Sequence, residues 1–280
     1  MADNAAASIG EAWRTASQRI DRLDARLLVE HVAGCTHADL IARPEQMLTA
    51  GQAAQLEALV ARRSGDEPLA YLLGSADFLG LEFLVSPAVL IPRPDTEVLV
   101  ALAVERAQRL SAPRIVDLGT GSGIVAVTLA RLCPAASVTA VDVSPAALDV
   151  ARINAARHGM QVSFLPGDWY APLCGARFDL IVANPPYVVD GDPHLRQNGL
   201  PFEPQGALTD GVAGGDGLSC IRAIIDDAPA HLLPGGWLLL EHGYDQAAQV
   251  RAMLIAEGFF DVASWRDPAG IERVSGGRLC

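Results

Sequence analysis

The chain has 280 residues, half of them hydrophobic, a mean hydropathy of +0.24 and a formal net charge of −12 at pH 7. This length has room for a catalytic domain and a smaller one. The apolar runs are too short to span a bilayer and the N-terminus lacks a secretory signal, so we expect a cytoplasmic protein. The acidic balance disfavours an extended nucleic-acid surface, and the absence of lysine excludes a P-loop and a Schiff-base mechanism.

Residues 1–70 are predicted to form a small helical domain. Apolar residues recur at helical spacing through residues 20–32, and this pattern ends at Gly34, a residue typical of a helix C-terminus. Thr49 and Gln52 have the spacing of a capping box before a second amphipathic stretch. Because no catalytic constellation stands out here, we expect this domain to dock a substrate.

A β-hairpin linker is predicted over residues 71–90, where two apolar runs flank a Leu-Gly pair. In the following stretch IPRPDTE (91–97), two prolines hold Arg93 on a stiff turn, and Asp95 or Thr96 is suited to cap a helix that runs to about Leu110. The pattern leaves open whether Arg93 belongs to a simple helix-initiating turn or stands beside an active site.

Residues 91–280 are predicted to form an α/β catalytic domain. From residue 114 onward, short apolar strands alternate with helical stretches, which is typical of a mostly parallel sheet with helices on both faces. Ligands of such folds bind at the carboxyl ends of the strands. The longest irregular segment, about 188–216, is rich in Gly and Pro, and loops of this length are usually functional or mobile.

A glycine-rich turn joins the first of these strands to its helix. Its G-x-G-x-G spacing lets the backbone turn tightly and approach a ligand closely. An acid beside this turn would repel a diphosphate but suits a cationic amino group. The candidate cofactor residues here are Asp117, Gly119, Thr120, Gly121, Ser122 and Gly123.

The next two strand ends add to this candidate cofactor site. Asp142 ends one strand, where a carboxylate can accept both ribose hydroxyls of an adenosine. Asp168 and Trp169 end the other, where an acid and an aromatic ring can hold an adenine. Binding groups for an amino acid, a ribose and an adenine fit S-adenosylmethionine better than a nicotinamide dinucleotide. The sequence therefore predicts a methyltransferase rather than a dehydrogenase.

The strand FDLIVA stops at Asn184-Pro185-Pro186-Tyr187, because two adjacent prolines have no N–H groups with which to extend a paired strand. A delocalised amide or aromatic amine is a poor nucleophile unless its nitrogen is oriented. The carboxamide oxygen of Asn184 and a nearby backbone carbonyl can accept both of its N–H groups. Tyr187 can stack on the planar acceptor. We predict catalytic roles for Asn184, Pro185 and Tyr187, and substrate binding by all four residues.

The cysteines and histidines do not predict a metal site. The five cysteines are scattered without a C-x-x-C pair, and the six histidines lack ligand spacing. His242, which follows the strand LLLE, is a possible base, but a structural role is favoured for it at the end of a core strand.

Taken together, IPRPDTE (91–97), VDLGTGSG (116–123), IVANPPYV (181–188) and FEPQGAL (202–208) resemble the release-factor glutamine methyltransferases, the HemK family. The similarity covers nearly the whole chain. It implies a Rossmann-like class I S-adenosylmethionine-dependent methyltransferase with a small N-terminal helical domain. It also implies methylation of N5 of the glutamine in the Gly-Gly-Gln tip of peptide chain release factors.

The resemblance also implies roles for individual residues. The glycine turn and Asp142 would bind the cofactor, with Trp169 beside the adenine and Asn184 at the junction of cofactor and substrate. The Asn-Pro-Pro-Tyr tetrapeptide would grip the glutamine amide. Further residues expected to line the substrate entrance are Arg93, Phe202, Glu203 and Pro204.

Two other functions stay open at this point. The tetrapeptide serves an exocyclic adenine amine equally well, so the first is a DNA or RNA adenine-N6 methyltransferase, although the acidic charge disfavours it. The second is a non-catalytic protein that binds release factors or ribosomes. The intact glycine turn and Asn184 disfavour this second function.

Overall fold

A computed structural model of the protein describes residues 7–280, which fall into two compact units. One unit comprises Met1–Gly74 with Arg196–Phe202, and the other comprises Ser75–Leu195 with Glu203–Cys280. Residues 1–6, at the start of the predicted 1–70 domain, lie outside the described residues. Within 7–280 no helix is long and apolar enough to cross a membrane. The domain boundaries at residues 70 and 90 stay predictions.

The first unit is helical, and its helices are α1 (Ile9–Ala16), α2 (Arg22–Ala33), α3 (His37–Ala42), α4 (Ala50–Ser64) and α5 (Leu69–Leu73). Ser8, Thr36 and Thr49 form capping boxes at the starts of α1, α3 and α4, as predicted for α4. Gly34 ends α2 in the left-handed conformation, with φ of 63°. Apolar side chains of these helices, such as Leu28, are fully buried in a core of their own.

The second unit begins with a two-stranded antiparallel hairpin, β1 (Ser75–Phe78) and β2 (Leu81–Leu84). Leu79 and Gly80 form its turn with φ of 48° and 74°, a conformation that favours glycine and that matches the twist of the flanking strands. The predicted hairpin is therefore confirmed.

A seven-stranded sheet follows, in the order β5-β4-β3-β6-β7-β9-β8. The strands from β5 to β7 in this order are parallel, and β9 and β8 are antiparallel, which confirms the predicted mostly parallel α/β fold. The strands are β3 (Arg114–Leu118), β4 (Ser137–Asp142), β5 (Ser163–Pro166), β6 (Phe178–Ala183), β7 (Leu232–Glu241), β8 (Phe260–Arg266) and β9 (Glu272–Arg278). The helices of this unit are α6 (Thr96–Ala107), α7 (Ile124–Leu132), α8 (Pro145–Arg157), α9 (Ser219–His231) and α10 (Ala247–Ala256).

The central strands are buried on both faces because helices cover both. Alternate residues point to opposite faces of a strand. Accordingly, Ile115 of β3 packs in one apolar cluster with residues of α6 and α7, while its neighbour Val116 packs in another with residues of α9 and α10. This arrangement places the helix that begins at Thr96 next to β6 and β7.

The structure differs from the sequence predictions in one helix boundary and adds detail to one loop. The helix expected to run to about Leu110 ends at Ala107, where the chain enters a turn, and Asp95 precedes it without a side-chain cap. The irregular segment near 188–216 contains short 3-10 turns and one bridge, from Val188 to Thr209. The short 3-10 helices in this segment are Pro193–Arg196, Leu200–Phe202 and Gln205–Ala207, and another, Ala171–Leu173, precedes β6.

Asn154 on α8 connects the hairpin with the glycine-rich turn. Its side chain is fully buried. The carboxamide oxygen accepts a hydrogen bond from Leu84 N at 2.7 Å, and the nitrogen donates to Leu84 O at 3.0 Å and to Ser122 O at 2.8 Å. A single side chain therefore satisfies two backbone groups of strand β2 and one of the glycine-rich turn.

Asn154→Ala is expected to lower the free energy of unfolding by about 2–4 kcal/mol, because it leaves these three backbone groups without partners. Arg152→Ala on the same helix removes only an exposed 2.9 Å ion pair with Asp149, so a change within about 0.5 kcal/mol is expected. Chemical denaturation of both variants measures the difference. Equal stability of the two would show that the Asn154 contacts do not hold the hairpin.

Candidate active site

A cavity of about 810 Å³ lies at the carboxyl ends of β3, β4 and β6. Parallel strands deliver their following loops to one edge of the sheet, which is why turns distant in sequence meet there. The residues predicted for the site that line the cavity are Arg93, Asp117, Gly119, Thr120, Gly121, Ser122, Asp142, Asp168, Trp169, Asn184, Pro186 and Pro204. Among residues 7–280, the predicted residues that do not line it are Gly123, Pro185, Tyr187, Phe202 and Glu203.

The glycine-rich turn is held to the two neighbouring strand ends. Gly119 has a φ of 73°, and a Cβ atom there would lie 3.3 Å from the ring of Trp169. Gly121 N donates to Oδ2 of Asp142 at 2.8 Å. The turn, the acid that ends β4 and the ring after β5 therefore contact one another.

Asp117 lies within β3 rather than in the turn, and it is almost fully buried. Its carboxyl accepts a hydrogen bond from the Thr120 hydroxyl at 2.6 Å. Burial nevertheless raises the pKa of Asp117 to about 7, and the nearby Asp142 contributes in the same direction. No ion pair of Asp117 exists within the described part of the chain, so a cationic ligand group would be stabilised beside it.

Asp142 ends β4 with both carboxylate oxygens engaged by backbone groups. Oδ1 accepts from Ser144 N at 2.9 Å, and Oδ2 accepts from Gly121 N at 2.8 Å. Burial raises the pKa of this carboxyl, and the two backbone donors oppose that rise. The carboxylate is thus held in place with lone pairs left for hydroxyl donors of a ligand.

Asn184 follows β6 directly, and its side chain is oriented by Thr96. Asn184 Nδ2 donates to Thr96 Oγ1 at 3.1 Å, and Thr96 is fully buried at the start of α6. Within residues 7–280 the carboxamide oxygen of Asn184 receives no hydrogen bond from the protein, so it can accept one from a ligand in the cavity.

Tyr187 is tied down on both its side chain and its backbone. Its hydroxyl donates to Oε1 of Glu241 at 3.2 Å, and burial raises the pKa of this tyrosine. Its backbone carbonyl accepts from Nε2 of Gln246 at 3.0 Å, so this carbonyl is not free. A Cβ atom at Gly217 would lie 2.5 Å from the same carbonyl oxygen, which requires glycine behind the turn.

Arg93 and Glu203 form an ion pair at the edge of the cavity. The Glu203 side chain is 1% exposed and accepts from Arg93 Nη2 and, at 3.0 Å, from Ile91 N. Arg93 lines the cavity, while Glu203 is buried behind it. Glu203 therefore anchors the loop that carries Arg93.

The sequence did not predict three of the residues that hold this site: Thr96, Glu241 and Gln246. Thr96 has the appearance of a helix cap, and Gln246 has no distinguishing pattern. Glu241, however, is an acid at the end of an apolar strand, and burial raises its pKa to about 7. An acid at the end of an apolar strand can be seen in the sequence and is a signal for a functional group.

His242 has a structural environment. It is fully buried, with Nε2 2.8 Å from Ser275 Oγ and Nδ1 2.8 Å from Gly243 O. Burial lowers its pKa. Within residues 7–280, no group of three or more His, Cys, Asp or Glu side chains is placed to hold a metal ion.

Comparisons with known proteins show which families the chain is similar to. The family described as "Methyltransferase small domain" matches residues 95–198, and "PrmC N-terminal domain" matches residues 11–74. The chain is 51% identical over 267 residues to the release factor glutamine methyltransferase of Burkholderia pseudomallei, covering 93% of both chains. It is 51% identical over 261 residues to the protein of the same name from Bordetella pertussis, covering 93% of this chain and 96% of that one.

A solved structure from T. thermophilus shows the same fold. It is a 16S rRNA N2 G1207 methyltransferase in complex with AdoMet and guanosine, with a TM-score of 0.54 and 22% identity. The match covers 74% of this chain and 50% of that one. At this identity the likeness concerns the fold alone, since one fold hosts many substrates.

Gly123→Ala is expected to lower the free energy of unfolding by about 2–3 kcal/mol. Gly123 has a φ of 82°, and a Cβ atom there would lie 3.0 Å from Cβ of Ala151 on α8. Gly121→Ala is the matched control, because φ is 54° but nothing lies within 4 Å, so about 1 kcal/mol is expected. Denaturation of the two cofactor-free variants compares them, and equal losses would contradict the steric account.

Proposed function

The chain belongs to the release factor glutamine methyltransferase family, and on that premise we propose that it methylates N5 of the glutamine in the Gly-Gly-Gln motif of peptide chain release factors. The observation that carries this proposal is one cavity that is lined by Asp117, Asp142 and Asn184. This arrangement supplies acceptors for a cationic amino group, for a ribose and for an N–H group of an acceptor amide.

S-adenosylmethionine is the methyl donor of this family, and the residues present fit it. The carboxyl of Asp117 is buried with no ion pair in the described chain, and the close approach of Gly119 to the Trp169 ring leaves a cradle that a side chain would fill. We infer that Asp117 holds the amino group, Asp142 the ribose and Trp169 the adenine. When bound, S-adenosylmethionine supplies an electrophilic methyl group.

The remaining work of the site is to prepare the glutamine amide. Its nitrogen lone pair is delocalised, so the nitrogen must be oriented and stripped of water before it reacts. The Asn184 oxygen accepts one N–H, and the backbone carbonyl of Pro185 is proposed to accept the other. Acceptors placed there also favour the positive charge that the nitrogen develops. Pro186, which lines the cavity, helps to exclude water.

We further propose that the first unit docks the release factor. We also propose that the protein acts in the cytoplasm and that it has no extended nucleic-acid surface. The first unit carries none of the predicted catalytic or cofactor residues, and it exposes Leu23, Ile41 and Met47. Arg93 on the cavity wall is the proposed contact at the substrate entrance.

Radiolabelled S-adenosylmethionine tests the substrate when it is supplied with a release factor, with the same factor whose tip glutamine is replaced by alanine, and with duplex DNA. Label is expected only in the unaltered release factor. Label in DNA alone would support the adenine-N6 methyltransferase instead. Cofactor binding without transfer to any of the three would support the non-catalytic function.

Asn184→Ala is expected to reduce kcat by about a hundredfold or more, because it removes the amide-orienting acceptor. Its Kd for S-adenosylmethionine, measured by calorimetry, should stay close to that of the parent protein. Release-factor methylation by the variant at the parental rate would eliminate the amide-clamp mechanism.

The affinity for S-adenosylmethionine is expected to rise with pH up to about 7. Below that pH the buried Asp117 is protonated in the cofactor-free protein, since burial raises its pKa to about 7. A cationic ligand stabilises the ionised form, so binding releases a proton, and the affinity changes by up to about tenfold per pH unit between about pH 5.5 and 7.

Two variants isolate this effect. Asp117→Asn should weaken binding and flatten the pH dependence, whereas Asp149→Asn, at an exposed acid on α8, should retain it. Calorimetric titrations across this pH range provide the measurement. A slope in Asp117→Asn as steep as in the parent protein would show that Asp117 does not face the cation.

A further inference from the structure

Asn184, Thr96 and Glu241 form a chain of side chains that leads from the cavity into the core. Thr96 Oγ1 accepts from Asn184 Nδ2 at 3.1 Å, so the hydroxyl hydrogen of Thr96 is available for another partner. That hydroxyl interacts with the Glu241 carboxyl at the end of β7 and favours its ionised form. The chain therefore connects the start of α6 and the ends of β6 and β7.

Glu241 is fully buried, which is costly for an acid unless its oxygens are used. Oε1 accepts from the Tyr187 hydroxyl at 3.2 Å, while Oε2 has no hydrogen-bond partner among the described residues. The charged groups that face this carboxyl are Asp95, which precedes α6, and Arg273 of β9, and these two are themselves paired at 3.1 Å. No cation is thus dedicated to Glu241 within the described chain.

The direction of the hydrogen bonds along this chain determines what Asn184 presents to the cavity. An ionised Glu241 carboxylate can only accept a hydrogen bond, so a Thr96 hydroxyl that points toward it leaves the Thr96 oxygen to accept from Asn184 Nδ2. The Asn184 oxygen then faces the cavity. In the reverse direction, Thr96 would donate to the Asn184 oxygen, and Nδ2 would face the N–H groups of the acceptor and repel them.

We propose that Thr96 and Glu241 are positioning residues that fix the Asn184 carboxamide with its oxygen toward the methyl-accepting nitrogen. The identity of that nitrogen rests on the proposed function, whereas the orientation of Asn184 does not. The same carboxylate holds the hydroxyl of Tyr187, so one buried acid orients two of the four residues of the Asn-Pro-Pro-Tyr turn.

The titration of Glu241 adds a pH signature to this geometry. Burial raises its pKa to about 7, with Asp95 acting in the same direction and the Thr96 hydroxyl, the Tyr187 hydroxyl and Arg273 opposing it. Since the ionised form is the one that accepts from Thr96, kcat at saturating cofactor is expected to rise as pH passes through about 7. Saturating cofactor keeps Asp117 ionised, which separates the two titrations.

The experiment combines Thr96→Val, Thr96→Ser and Thr128→Val. Thr128 is a matched control, since it is buried and its hydroxyl has no hydrogen-bond partner in the described chain. We expect Thr96→Val to lower kcat about tenfold or more with the Kd for S-adenosylmethionine unchanged. Thr96→Ser, which keeps the hydroxyl, and Thr128→Val should stay within about twofold of the parent protein. Full kcat in a folded Thr96→Val variant would overturn the proposal.

A second readout needs neither substrate nor cofactor. In ¹⁵N NMR of the parent protein, one side-chain N–H of Asn184 should exchange slowly because Thr96 accepts it. Its chemical shift should follow the titration of Glu241, and Glu241→Gln should remove this dependence on pH. A fast-exchanging Asn184 amide in the parent protein would overturn the proposal, even if no release factor were methylated. Protection together with an inactive parent enzyme would instead retain the positioning role and refute the proposed function.

Discussion

The hydrogen bond from Asn184 Nδ2 to Thr96 Oγ1 is the contact on which the rest of the site depends. It joins the end of a central strand to the start of the helix that covers it. The atom used is the carboxamide nitrogen of Asn184, so the carboxamide oxygen is left for the N–H group of a methyl acceptor. The parallel sheet makes this possible, because it brings the end of β6 and the end of β7 to one edge beside α6. The orientation of the proposed substrate-binding carboxamide is therefore a consequence of packing in the core.

Buried carboxyls are the second recurring feature. Asp117 at the cavity and Glu241 beneath the Asn-Pro-Pro-Tyr turn both have a pKa raised to about 7 by burial, each with a hydroxyl donor as partial compensation. For Asp117, we propose that a cationic ligand supplies the missing stabilisation. For Glu241, the proposed benefit is that it sets the direction of neighbouring hydrogen bonds. Each buried acid lowers the stability of the folded protein unless a partner stabilises its charge, which is common at functional sites.

The sequence was sufficient for the alternating α/β fold, the hairpin and most of the cavity wall, because strand ends and glycine turns have local signatures. It placed Asp142 and Asn184 at strand ends, where the structure also has them. It did not reveal Thr96, Asn154 or Gln246, since their roles depend on partners far away in the chain. It also assigned Glu203 to the substrate entrance, and the structure has this residue buried behind Arg93, because only tertiary packing determines which side of a loop faces a cavity.

A neutron or high-resolution crystal structure with S-adenosylhomocysteine and a Gly-Gly-Gln peptide would test the central claim most directly, because it can distinguish the two ends of the Asn184 carboxamide. The expected result is Asn184 Oδ1 at about 2.9 Å from the glutamine N5 atom, with Nδ2 still donating to Thr96. A reversed carboxamide, with Nδ2 toward the glutamine and the Thr96 hydroxyl donating to Oδ1, would contradict the account.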